Sequence, residues 1–534
     1  MTVGRRSLLV WGTIALALLS FVPPGWARLS YFSFQDVRKG MEAVGKTVFY
    51  GTNIEEFKVE VIDVVRGKNV SDSYFVVQVK DQRVRELGGI SAGMSGSPIY
   101  IKGKIAGALA YNWETRDNLV GVVTPIEAML SIWNEEEVIA PLNGSESSVV
   151  FLRGFRGRAG ELLAQTFKNQ FSLREVFTLP GFIFGERAPK ESGALQPGSA
   201  IGIQLLTGDA EIMSIGTLTL KDGERILALG HPFLHRGKAN YFLSSVYVNF
   251  SLKGEDFPFK VGTSLATIGV IDQDRGVGVS GKIGAVPEGS EINVVVREGS
   301  KKGEYRYLAV KDQAILLEVL PKVILDSVDR TIDHQVPGSG NVVLKMQKGD
   351  FILQEEFFVI SDTDIGSGVA DFMGKALETI LANPYENLVP EKMEFNIEIF
   401  PDMQKGWLFG AEFPRIVKRG ETIEGNISFF LYRQGERTIA FPLTLPVDFA
   451  PGEAEVIVQG KGGGEETSSS AASNLPPTLG EYLSGKFEEF KRNGIKVEVI
   501  ARMESSEKYK TYFSQNIYLP VILEGNFSSK VWIN

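Results

Sequence analysis

The chain is 534 residues long, 43% hydrophobic and 23% charged, a globular composition with apolar material for about three packed units. Its net charge of −9 is spread without an acidic or basic block, which argues against a nucleic-acid partner. It has no cysteine, so disulfides, thiol catalysis, thiolate metal sites and a lipidated N-terminal cysteine are excluded.

In chain order, the first 27 residues read as a signal peptide. Arg5 and Arg6 precede an apolar run from Leu8 to Val22, and Gly25-Trp26-Ala27 offers the small residues of a cleavage site. Export to the periplasm, the cell envelope or the medium is the expectation. An uncleaved anchor, holding the protein close to a membrane, is the alternative.

Residues 28–145 form the first expected unit. Polar–apolar alternation in GKTVFYGTNIEEFKVEVIDVV and SYFVVQVK predicts β-strands over 45–80. The stretch PIYI-KGK-IAGALA predicts a hairpin over Pro98–Ala110, and Val120–Thr124 a strand. Pro125–Trp133 has helical spacing with proline in its first turn. A connecting segment, 146–195, carries a predicted helix over 157–170 (GRAGELLAQTFKNQ). β-Character returns over 196–325, and one helix is expected within Val369–Leu381 in the region 326–391. Residues 392–460, with strands at short intervals between Pro/Gly turns, read as a β-sandwich. A flexible polar linker is expected over 461–477, then a helix over Leu479–Phe490 and final strands to 534.

One stretch carries chemistry. In GGISAGMSGSPIYIKGKIAGALAYNW, Gly93 and Gly96 flank Ser95 on a sharp turn directly ahead of the hairpin. Serine is a poor nucleophile until a base takes its proton and donors stabilise the oxyanion. Glycines let the backbone curl so that the N–H groups of Gly93 and Ser95 converge beside Ser95 Oγ. The base has three histidines to come from: His231, His235 and His334. His231 follows the strand-like ILALG and so sits at a strand end, whereas His235 and His334 have loop-like surroundings. Other motifs are weaker. VPGSGNVV lacks the lysine of a phosphate loop, and Asp362 and Asp364 in SDTDIGSG lack the rest of a calcium loop and read as an acidic turn. No metal or cofactor is expected.

Two segments carry a family resemblance. The serine stretch resembles the signature of the SpoIVB-type serine peptidases, a branch of the chymotrypsin-like fold. GTNIEEFKVEVIDV resembles the strand pair ahead of that signature, and IGTLTLKDGERILALGHPF resembles the family's histidine segment. Together they cover residues 40–133 and 196–250. The resemblance implies a mainly β protein of chymotrypsin-like paired β-barrels, acting as an exported serine endopeptidase on a protein or peptide substrate. It makes Ser95 the nucleophile and His231 the general base, with Asp81 as the acid that orients it; Asp72 and Asp63 are alternative orienters. The order departs from the family, in which the histidine half comes first. Triads are defined by geometry rather than chain order, so the halves are expected as a permuted pair, or as a site completed between two chains of a dimer. The competing reading is a plain Gly/Ser turn or anion-binding nest, on a non-catalytic envelope protein that binds extended peptides by strand addition.

Overall fold

The computed structural model describes residues 30–134, 148–181, 194–463, 476–502 and 509–534, positions 114, 172, 180, 255 and 450 excepted. The expected signal segment and most of the expected linker lie outside the described residues.

Six strands close the first barrel: β1 (Glu42–Val48), β2 (Ile54–Val65), β3 (Tyr74–Val79), β4 (Ser97–Ile101), β5 (Lys104–Trp113) and β6 (Val120–Pro125). Their order is β1-β2-β3-β6-β5-β4, antiparallel throughout, with β4 returning to β1. The alternation read from the sequence supplies the core. Along β2, Phe57, Val59 and Val61 are buried while Glu56 and Lys58 are exposed, as period-two side-chain placement requires. A short helix, α1 (Gln82–Glu86), follows β3, and α2 (Ile126–Leu130) follows β6.

After β7 (Val149–Arg153), α3 (Arg158–Gln170) and β8 (Glu175–Leu179), a second set of six strands begins. These are β9 (Ala200–Gly208), β10 (Glu211–Asp222), β11 (Arg225–Ala228), β12 (Gly237–Lys253), β13 (Pro258–Arg275) and β14 (Gly278–Ile283). They run β9-β12-β13-β14-β11-β10, and β10 pairs back onto β9, closing a second antiparallel ring. With the strands of each ring lettered a to f in chain order, both rings read a-d-e-f-c-b. The paired barrels expected from the sequence are therefore two copies of one strand order. In each ring the c–d connection holds one expected catalytic residue: Ser95 ahead of β4, and His231 between β11 and β12.

The second ring opens sideways into a 13-stranded sheet. β7 and β8 extend it on one side; on the other lie β15 (Gly289–Glu298), β16 (Lys301–Val310), β17 (Gly338–Lys348), β18 (Phe351–Ser361) and β19 (Lys392–Phe400). Two departures from the sequence reading occur here. The β-character expected as far as 325 gives way to a 20-residue helix, α4 (Gln313–Ile332). Its side chains are buried on most sides, so no one-sided apolar stripe marks it, and Pro321 within it reads as a break. The first strand expected in the sandwich, β19, instead pairs parallel to β15 and antiparallel to β17. Met393, Phe395, Ile397 and Ile399 then join the large core. The sandwich proper, a four-stranded and a five-stranded sheet, starts at residue 405 and takes in the last strands of the chain. α5 (Ile365–Leu381) packs on α4, and α6 (Leu479–Phe490) returns to the large core through Leu483 and Phe487.

Candidate active site

The two c–d connections meet in the seam between the rings. Thr217 N on β10 donates to the Ser95 carbonyl at 2.7 Å, and Thr219 Oγ1 donates to the Gly96 carbonyl at 2.8 Å. From the other side, Thr124 Oγ1 on β6 donates to the Gly230 carbonyl at 2.7 Å. Both loops also touch β5. Gly96 N–H donates to the Leu109 carbonyl at 2.7 Å, and the Tyr111 ring lies against the His231 imidazole with centroids 5.4 Å apart. The structure thus brings the serine turn and the histidine loop to one strand, two residues apart. No hydrogen bond joins Ser95 Oγ to His231 here.

The turn itself explains its glycines. Gly93 and Gly96 have φ of +95° and +93°, a region that side chains with a Cβ avoid. Its peptide planes are pinned by their carbonyls. The Ala92 carbonyl accepts from Lys260 N at 2.9 Å, and the Met94 carbonyl accepts from Ser97 N at 2.9 Å and Ser97 Oγ at 2.6 Å. In a trans peptide the N–H points opposite to the C=O. The Gly93 and Ser95 N–H groups are therefore turned away from these anchors. Among the described residues neither has an acceptor, whereas the N–H groups of Met94, Gly96 and Ser97 are all taken. Two free donors, two residues apart on a fixed turn, are the kind of groups an oxyanion requires.

His231 is 2% exposed. Its Nδ1 lies 2.7 Å from the Pro232 carbonyl, which can only accept, so Nδ1 carries the proton and Nε2 presents a lone pair. Nε2 is buried without a partner. Loss of hydration pushes the imidazole pKa down to about 4, against the smaller opposing effect of the Pro232 carbonyl. The ring is therefore neutral at pH 7, as a base must be. The other two histidines are elsewhere: His235 is exposed in a left-handed turn, and His334 pairs with Glu298 at 3.1 Å.

Asp81 does not reach the imidazole. Its carboxylate caps α1, accepting from Arg83 N at 3.0 Å and Val84 N at 3.4 Å, with Arg83 Nε 3.5 Å away. It lies beyond the Gln78–Val120 pair, whereas the histidine loop docks at Thr124, about 14 Å further along β6 at ~3.4 Å per residue. Asp63 and Asp72 make no hydrogen bond to His231 either; Asp63 bonds Val64 N beside it. Asp364 caps α5 and pairs with Arg158.

The carboxylate that does hold the histidine loop is Asp274, at the end of β13, a residue the sequence reading passed over. It is fully buried and accepts from Phe233 N and Leu234 N at 2.7 Å each, and from Arg236 N at 3.4 Å. Burial pushes its carboxyl pKa up, while the three N–H groups favour the charged form. Nothing in the sequence QDRG marks it, because its importance comes from the e–f connection folding back over the c–d loop. Asp274→Asn, whose amide nitrogen would oppose a backbone N–H, is expected to cost about 2–3 kcal/mol. Thermal unfolding would register this as a drop of several degrees, and a midpoint unchanged from the parent chain would count against the loop-holding role.

Residues 28–130 match the family described as SpoIVB peptidase S55. Among curated proteins no relative matches the chain. The matched segment spans the serine barrel from before β1 to the end of α2, and it contains the Gly93–Gly96 turn. Over this segment, about a fifth of the chain, the protein is similar to the SpoIVB peptidase S55 family.

Proposed function

We propose that this protein is an exported serine endopeptidase using Ser95 and His231. The observation that carries the reading is the pair of free N–H groups on the serine turn, which packs on the same strand, β5, as a neutral histidine whose Nε2 is unpartnered. Ser95 Oγ attacks the peptide carbonyl carbon as its proton passes to His231 Nε2. The oxyanion is received by Gly93 N–H and Ser95 N–H. His231 then gives the proton to the leaving amine, and water repeats the sequence on the acyl-enzyme. The Pro232 carbonyl fixes the imidazole tautomer, and Asp274 holds the loop that carries it. The Ser95–His231 bond is not made here; catalytic hydrogen bonds commonly tighten only when substrate is seated.

The depressed imidazole pKa gives a test. The base form is present above about pH 4, so on the acid side hydrolysis of an unfolded protein substrate should persist to mildly acidic pH and fall as pH approaches 4. An ordinary histidine would lose half its base form near 6.5. Cleavage assayed from pH 3.5 to 9 checks this, and a substrate left uncut across the whole range contradicts the assignment.

A further inference from the structure

A lysine is buried beneath the serine turn. Lys260, on β13, is 1% exposed. Its Nζ donates to Thr47 Oγ1 on β1 at 2.7 Å and to the Gly93 carbonyl at 3.3 Å. Its backbone N–H donates to the Ala92 carbonyl at 2.9 Å. Thr217 Oγ1 completes the cluster, 2.9 Å from the Gly93 carbonyl and 3.4 Å from Thr47 Oγ1. An ammonium taken out of water normally has a carboxylate beside it. Among the described residues none is within ion-pairing distance: the turn presents a carbonyl, and β1 and β10 present threonine hydroxyls. Nothing about packing alone calls for a cation there, since a methionine would fill similar space.

We propose that Lys260 is a positioning residue for the oxyanion turn. Its N–H on the Ala92 carbonyl and its ammonium on the Gly93 carbonyl hold two successive peptide groups, the first carrying Gly93 N–H and the second leading directly into the Ser97-pinned peptide that carries Ser95 N–H. The proposal rests on the peptidase reading of that turn. The turn belongs to the first ring and docks here on β10 and β13 of the second, so the same contacts tie the nucleophile's barrel to the barrel of its base. Burial also pushes the Lys260 pKa down to about 7, with no charged group of β1, β10, β13 or the turn in contact to restore it. The hold is therefore strongest below pH 7 and weakens as the amine loses its proton.

Lys260→Met is the test, read by hydrogen–deuterium exchange across 91–97 and by the rate of reaction with a fluorophosphonate. In a variant that unfolds at the temperature of the parent, the Met94, Gly96 and Ser97 amides should exchange at least tenfold faster. Labelling of Ser95 should slow at least tenfold, and the decline of the parent's labelling rate above pH 7 should disappear while its acid limb near 4 remains. Unchanged exchange, or labelling at the parent's rate and pH profile, overturns the proposal. If the variant does not fold, the parent chain decides: protection of 91–97, corrected for intrinsic exchange, should fall above pH 7, and protection constant from 6 to 9 overturns it. A parent chain that does not label at all counts against the peptidase reading, while the exchange measurements still decide the role of Lys260.

Discussion

Ser95→Ala and His231→Gln should each lower peptide hydrolysis about ten-thousandfold or more while leaving the fold in place. The size follows from how such groups act. Nucleophile and base form a unit, and loss of either costs about as much as loss of both. What survives is the contribution of the oxyanion donors and of substrate binding. Stability should move little in Ser95→Ala, because the Ser95 side chain forms no hydrogen bond here and only its backbone carbonyl is used, by Thr217 N. His231→Gln removes a buried ring that packs on Tyr111, and a loss of about 1–2 kcal/mol is expected. Hydrolysis assays paired with thermal unfolding separate the two effects. Activity within tenfold of the parent in a folded Ser95→Ala protein would remove Ser95 from the mechanism.

Gly96→Ala should have the largest effect on stability of any single methyl group in the site. A Cβ there would fall on the Thr217 carbonyl oxygen and within 2.6 Å of Leu229 N. Both neighbours are backbone of the second ring, so neither can swing aside. The φ of +93° is also strained for any residue with a Cβ. To admit the methyl, the serine turn must lift off β10, breaking the Thr217 N and Thr219 Oγ1 bonds that dock it. A cost of at least about 3 kcal/mol is expected, from backbone strain together with the lost bonds. Denaturant unfolding measures it directly, and hydrolysis should fall with it. A fully stable Gly96→Ala chain would mean that the two rings are not docked through this turn.

The parts of the site that sequence made legible are those specified locally. The Gly-Met-Ser-Gly turn announces itself because only glycine tolerates the φ at 93 and 96, and the barrel strands because one buried face imposes alternation. His231 stood out as one of three histidines and by its strand-end setting. Asp274 and Lys260 carry no such mark. Asp274 matters because its strand ends beneath a loop about 40 residues earlier in the chain. Lys260, in PFKVGT, looks like an ordinary outward residue of an alternating strand until β13 is seen to run beneath the turn. The family resemblance places the acid at Asp81, and that carboxylate is occupied by the start of α1. The helix α4 carries no one-sided stripe because it is buried on most sides. β19 alternates as a strand should, but its partners, β15 and β17, are set by pairings about 50–100 residues away in the chain.

The central claim is that Ser95 is an activated nucleophile, and fluorophosphonate labelling with peptide mapping tests it most directly. Attack by Ser95 Oγ forms an O–P bond, expels fluoride and sends the serine proton to His231. The account predicts a single adduct on the peptide containing Ser95, absent from Ser95→Ala and slowed at least a thousandfold in His231→Gln. A folded parent chain that takes up no probe, or takes it up equally well without His231, would contradict the account and leave the turn as an anion-binding or peptide-binding feature.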